Sequence, residues 1–288
     1  MLKESHLIMK NNLLKAFFIL LFLGTSIYSA QAFSFSSATA SGQTLYYAIL
    51  SDSTVAVTYP NHVGASYYSG YSMPVGNLLI PSSVTHSGSV YSVVSIDNNA
   101  FSGCAGLTAL TIPNTVTAIG SSACLQCSSL VSVVIPVSVS TIGDNAFMGC
   151  SSLASVALPN SVTMIGIGTF QGCTSLASVT LGSAVTTIGN VAFDGCSSLT
   201  SFVIPDAVTM LGNWAFCNCT SLDTLYIGAS ISYLSQNIFS GCSHVRYLHY
   251  NSRNAVCYYY SAGSYHSALP VSALTQLVIG DSVQSVPQ

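Results

Sequence analysis

Seven cysteines, Cys104, Cys127, Cys150, Cys173, Cys196, Cys219 and Cys242, stand 23 residues apart without a slip. A fixed period between about 20 and 50 residues is the mark of stacked supersecondary units, each too small to bury its own apolar face. Counted from its Cys, a unit repeats apolar residues at +3, +6 and +8 (Leu130, Val133, Ile135), at +12 and +15 (Val139, Ile142), and at +19 and +20 (Ala146, Phe147). These spacings predict two short strands. Pro or Gly at +9 ends the first strand and Gly at +16 ends the second. The stretch Asn-Ala-Phe-x-Gly-Cys predicts about one turn of helix or 3₁₀ structure. The expected fold class is a β-rich repeat solenoid with one unit per turn.

Both ends of the array depart from the pattern. Residues 33–71 lack the repeat and carry two alternating runs, Thr44 to Leu50 and Thr54 to Tyr59, around Ser51-Asp52-Ser53. That is a hairpin signature, and an atypical terminal module is what covers the open end of a stack, so 33–71 is read as an N-terminal β cap. The solenoid is read as residues 72–288, with regular repeats over 104–241 and irregular ones over 242–288. In the first unit Val84 and Ile96 stand 12 apart where later units place the same pair 3 apart, so 12 − 3 = 9 residues are inserted, with their turn over Thr85 to Tyr91. After Cys242 the pattern fades and resumes at Leu274 to Val286. Its Cys-equivalent position is Val271, 271 − 242 = 29 residues on, six more than the period. The last unit is read either as a C-terminal cap or as an incomplete repeat.

The consensus L-x-x-L-x-I-P-x-x-V-T-x-I-G-x-x-A-F-x-G-C resembles the BspA-like (type 5) class of leucine-rich repeats over roughly residues 72–288. Leu107-x-x-Leu110-x-Ile112 is followed by Pro113 and Val116, with no Asn or Cys at the ladder position usual in other leucine-rich repeats. The resemblance implies a secreted or surface-displayed protein and adhesion to proteins or glycans.

Residues 1–32 read as a secretory signal peptide: Lys3, Lys10 and Lys15 precede the apolar run Ala16 to Gly24, and Ala30-Gln31-Ala32 offers a small-residue site for cleavage after Ala32. Met9 would itself serve as a start, leaving the first eight residues without a structural role. The apolar run is too short for a membrane span of about 20 residues, and later apolar stretches are broken by Ser, Thr, Pro or Gly. No integral span is expected after cleavage. The mature chain keeps Arg246 and Arg253 as its only cations, against seven Asp, so its net charge is 2 − 7 = −5. Such a surface is a poor match for nucleic acid or anionic membrane. Mean hydropathy is +0.59 because Ser and Thr, rather than Lys and Glu, cover the outside.

Little in the chain points to catalysis, and no cofactor or metal is expected. The ladder cysteines share one repeat position beside Leu at +3. Side chains in a column point in parallel, so these are read as buried free thiols rather than a disulfide framework. Cys124-Leu-Gln-Cys127 and Cys217-Asn-Cys219 have neither the His partners nor the context of redox or metal motifs, since Cys124 stands in the repeat's Phe slot. His62, His86, His244, His249 and His266 form no ligand or triad motif. Tyrosine placement is more informative. After the leader, seven lie in 46–91, eight in 226–265, and none between.

The outward positions +4, +5 and +7 of the first strand follow the same division. They are Ala154, Ser155 and Ala157, then Ala177, Ser178 and Thr180, then Thr200, Ser201 and Val203. In the next two units they become Asp223, Thr224 and Tyr226, then Arg246, Tyr247 and His249. Tyr and Arg are favoured at binding hot spots, so the candidate binding residues are Asp223, Tyr226, Arg246, Tyr247 and His249. The competing reading is that large amphipathic Tyr side chains seal the ends of the stack. The function expected is a non-enzymatic binding or adhesion module for an extracellular protein or glycan. The alternative is a structural, self-associating scaffold held together by its flat Ala, Val, Ser and Thr faces.

Overall fold

The computed structural model describes residues 33–60, 67–235, 237–252, 256–258 and 275–280. The expected signal peptide with its cleavage site, His62 and His266 lie outside the described residues. The repeat folds into two parallel columns of very short strands. The first runs through Gly76–Leu79, Leu107–Thr111, Ser132–Val134, Ser155–Ala157, Ser178–Thr180, Ser201–Ile204, Thr224–Ile227, Tyr247–Tyr250 and Gln276–Ile279. Ser155 pairs with Ser178, and 178 − 155 = 23, so equal offsets of successive units stand side by side. Single hydrogen bonds, such as Ala154 N–H to Val131 O at 3.2 Å, continue the column where regular pairing lapses. The second column joins the V-T-x-I segments, with Ile165 beside Ile188 and Ile188 beside Leu211.

At the N-terminal end, β1 (Phe35–Ala38), β2 (Thr44–Ile49) and β3 (Thr54–Thr58) form an antiparallel meander. The first unit adds β4 (Gly76–Leu79), β5 (Ser83–His86) and β6 (Ser89–Ile96). β3 pairs in parallel with β6, which extends the second column by three strands. The nine inserted residues fall within the β5–β6 hairpin. Its two turn residues, Ser87 and Gly88, take φ of 51° and 80°, as a tight hairpin turn requires. Tyr68 closes the space beneath, donating its buried hydroxyl to Ala100 O at 2.7 Å. Phe35 stacks on His86 with centroids 4.1 Å apart.

The expected turn of helix is replaced by something else. Across 145–150, Ala146, Met148 and Cys150 donate to the residue three back (Gly143, Asn145 and Phe147; 3.3, 3.1 and 3.2 Å), while Asn145, Phe147 and Gly149 donate to the next unit (Ile167, Thr169 and Gln171; 2.8, 2.9 and 2.7 Å). Alternate N–H groups therefore serve the turn and the stack. Left-handed backbone at Asn145 (57°) and Gly149 (73°) brings this about, because it interrupts the run of right-handed residues that a helix needs. No helix among the described residues is long and apolar enough to cross a membrane.

The core repeats as columns too. Phe147, Phe170, Phe193, Phe216 and Phe239 stack with centroids 5.6, 5.4, 5.3 and 5.5 Å apart and rings within 17° of parallel. Beside them run the ladder cysteines, which are free and buried. Six of the seven thiols, from Cys127 to Cys242, also have a polar role. Cys173 Sγ donates to Phe147 O at 3.2 Å, Cys196 to Phe170 O at 3.3 Å and Cys219 to Phe193 O at 3.3 Å, in each case the carbonyl 26 residues earlier. A Val or Ala would fill the space but leave that carbonyl less satisfied. Burial pushes the Cys173 thiol up to about 12 and raises Cys104 and Cys196 as well. The thiolate is the reactive form. Hydrogen bonds from neighbouring thiols lower Cys127 and Cys242 instead, yet every ladder thiol is buried, so under native conditions at pH 8 access decides. A thiol-specific reagent is expected to label the half-buried Cys217 first and to reach the ladder only after denaturant is added. Rapid native labelling of the ladder, followed by peptide mass analysis, is the contrary result.

Hydroxyls and amides tie one unit to the next. Thr186 Oγ1 donates to Thr163 O (3.2 Å) and Thr209 Oγ1 to Thr186 O (3.3 Å), which accounts for Thr in V-T-x-I. Asp144 Oδ1 accepts from Ile167 N–H at 2.7 Å and Asn190 Oδ1 from Asn213 N–H at 2.8 Å. One position is at odds with its residue. At +18 the left-handed backbone suits Asn99, Asn145 or Gly168, yet Val191 sits there at φ 50°. A β-branched residue is strained in this region, and Asn tolerates it. Val191→Asn is expected to stabilise the protein by about 1 kcal/mol, read as a raised urea midpoint. An unchanged or lowered midpoint would mean that the valine's packing outweighs its strain.

Candidate functional site

The first column turns its +4, +5 and +7 side chains outward. Over most of its length this surface is small and uncharged, with Ser132, Ser155, Ser178 and Ser201 in one row and Ala157, Thr180 and Val203 in another. The change comes at strand Thr224–Ile227. Parallel pairing sets Thr224 against Tyr247 and Tyr226 against His249, so Tyr226, Tyr247 and His249 occupy two adjacent strands, with Asp223 and Arg246 immediately ahead of them, although up to 26 positions separate the five in sequence. The structure brings all five together.

Their contacts follow from the stacking geometry. Side chains at one offset repeat at the strand spacing of about 4.8 Å, which is close to the contact distance of flat rings. Tyr226 and His249 accordingly lie face to face, centroids 4.1 Å apart and 12° from parallel. Each covers a face of the other and leaves an edge to solvent, with Tyr226 38% exposed. In the neighbouring row, Asp223 Oδ1 accepts a hydrogen bond from Arg246 Nε in an ion pair whose side chains are 28% and 56% exposed. That bond, helped by the Arg246 charge, holds the Asp223 carboxyl below its ordinary value. An exposed pair contributes little to stability. Its effect is positional, since it fixes the guanidinium, whose carbon lies 5.6 Å from the centroid of the Tyr247 ring. Arg246 is the one Lys or Arg among the described residues.

Sequence reasoning stopped one strand short. Gln276 pairs with Tyr247, and Val278 with His249. The exposed Gln276 and Val278, at the outward offsets, thus extend the patch. The resumed repeat at Leu274 already held this information: counted from Val271, Gln276 and Val278 fall at +5 and +7. The cluster offers an oriented cation, a partly neutralised carboxylate and ring edges on an open face, which suits recognition of a complementary surface.

No curated protein matches the chain. Among solved structures, a leucine-rich cell surface protein from Faecalibacterium prausnitzii is similar at 25% identity, with a TM-score of 0.52 over 77% of this chain and 72% of that one. A leucine-rich repeat protein from Bacteroides ovatus is similar at 25% identity, with a TM-score of 0.47 over 83% of this chain and 76% of that one. The model of the BspA-type leucine-rich repeat region matches residues 81–197 and 163–287, in six copies. With its stacked strands and this match over most of its length, the chain belongs to the BspA-type leucine-rich repeat family.

Proposed function

We propose that the protein is a secreted or surface-presented adhesion module that engages an extracellular protein through Asp223, Tyr226, Arg246, Tyr247 and His249, assisted by Gln276 and Val278. In this reading residues 1–32 are the signal peptide, 33–71 cap the stack, and 72–288 are the solenoid that carries the site. The carrying observation is that charge, aromatic rings and the one described cation coincide at two adjacent strands of an otherwise bland face. A protein ligand is favoured over sugar stacking at this place because Tyr226 and His249 already cover each other's faces. Membership of a repeat family whose similar structures include a cell surface protein supports the location.

The test begins with an array of extracellular proteins probed with mature protein. For a captured ligand, Tyr247→Ala is expected to weaken binding about thirtyfold, the equivalent of about 2 kcal/mol, and Arg246→Ala by a similar factor. Ser155→Ala and Thr180→Ala should leave affinity unchanged. Equal effects across the four variants would remove the site from this face. A second reading, self-association, draws on Val131, Val134 and Val137, all exposed on a single unit. Reversible oligomers that Val134→Lys abolishes, with no ligand captured, would favour it.

A further inference from the structure

Away from the strand face, the turn edge of the stack holds a second departure from the repeat. The chain's one tryptophan, Trp214, occupies the +18 position at φ 55°, where other units place Asn99, Ser122, Asn145 and Gly168. It is 45% exposed. A bulky residue held in left-handed backbone is a local cost, and such outliers gather at ligand sites. Val191 shares the strain one unit earlier.

The turn's hydrogen bonds establish what lies around the indole. Val191 N–H donates to Asn213 O (2.9 Å), which stacks residues 190–191 directly on 213–214. Within each turn the +18 carbonyl accepts from the N–H at +21: Val191 O from Asp194 (3.2 Å) and Trp214 O from Cys217 (3.0 Å). Trp214, Cys217, Val191 and Asp194 therefore form the corners of one small surface. The Asp194 carboxylate is fixed by two amides, accepting from Gln171 Nε2 at 3.0 Å and from Asn218 Nδ2 at 3.1 Å. No Lys or Arg among the described residues pairs with it. The Asn190 side-chain oxygen is taken by Asn213 N–H. That leaves its amide NH₂, on an exposed residue, to donate outward. Among the described residues no other ring stacks on Trp214, in contrast to Tyr226 and His249.

A half-exposed indole beside a fixed acceptor and an outward amide donor matches a pyranose ring, whose C–H face packs on an aromatic surface while neighbouring hydroxyls donate and accept. A carboxylate lacking a cation repels acidic sugars. We propose that Trp214, Asp194 and Asn190 form a binding site for neutral glycan, separate from the Arg246 face and independent of what that face binds.

Trp214 is its own reporter. Galactomannan, mixed-linkage β-glucan and galactan would be titrated into mature protein while Trp214 emission is followed, with polygalacturonate as the acidic comparison. At least one neutral polysaccharide is expected to shift the emission and polygalacturonate to leave it unchanged. Trp214→Asn, which suits the left-handed backbone, should lower affinity in native affinity electrophoresis at least tenfold while the thermal midpoint stays or rises. Arg246→Ala should keep glycan affinity within twofold, which separates failure of this site from failure of the strand-face site. Silent emission with all three neutral glycans, an equal response to polygalacturonate, or Trp214→Asn binding within twofold of the parent would overturn the proposal. Should Trp214→Asn fail to fold, the isosteric Asp194→Asn serves instead: a tenfold loss supports the site and a change within twofold overturns it.

Discussion

Gly189→Ala is expected to destabilise the protein by about 3 kcal/mol, although it adds a single methyl group. A Cβ at this position would lie 2.7 Å from Gly166 C, 2.8 Å from Gly166 O and 2.9 Å from Ile167 N. All three are backbone atoms of the preceding unit, so no side chain can swing aside. Relief requires the two turns to separate, which would lengthen the Gly189 N–H to Ile165 O bond, now 2.8 Å, and its neighbours. Gly195→Ala is the control. Gly195 has φ of 73° and its Cβ would come no nearer than 3.7 Å to Gly172, so only backbone strain of about 1 to 2 kcal/mol is expected. Urea unfolding of the two variants should differ clearly in midpoint. Equal midpoints would mean that the close approach at the second turn is not what requires glycine.

Phe193→Ala should cost about 4 kcal/mol, the usual range for a buried Phe. Phe193 is fully buried and touches rings on three sides: Phe170 at 5.4 Å, Phe216 at 5.3 Å and Phe202 edge-on at 5.0 Å. In a stack whose units contact only their neighbours, a lesion at the middle also weakens the coupling between the two halves. The urea transition should therefore broaden or divide as well as move. Phe239, at the C-terminal end of the same column and slightly exposed, should cost less on truncation and leave a single transition. A sharp, merely shifted transition for Phe193→Ala would show that cooperativity does not pass through the Phe column.

Much of this was legible in the sequence because a period fixes neighbours without further information. Once Cys150 and Cys173 are known to be equivalent, Tyr226 must stand beside His249, and the two-strand patch follows by subtraction. The inward positions were equally readable, since Leu at +3, Val at +12 and Phe at +20 recur in register. The turn was misjudged because its deciding feature is conformational: left-handed backbone at Asn145 and Gly149 diverts alternate N–H groups to the next unit, and Asn-Ala-Phe by composition reads as well for helix. The thiols' second role was hidden for a similar reason, because the acceptor is a main-chain carbonyl that sequence does not distinguish. Trp214 lies off the strand offsets, so the row pattern that marks Tyr226 and His249 does not reach it. An aromatic residue in an Asn or Gly slot was the signal that could have found it.

The bonds that join one unit to the next are nearly the same at every joint: a thiol to the +20 carbonyl, a Thr or Ser hydroxyl to the +13 carbonyl, an amide or carboxylate to a turn N–H. A coding sequence that gains or loses 69 bases, three for each of the 23 residues that separate bonded partners, thus creates a joint the protein already knows how to make. Unequal recombination between neighbouring repeats can change the length of the array without a new core having to be selected. Each such event moves the Arg246 patch by about 4.8 Å relative to the N-terminal meander. The reach of this face is in that sense heritable in fixed steps.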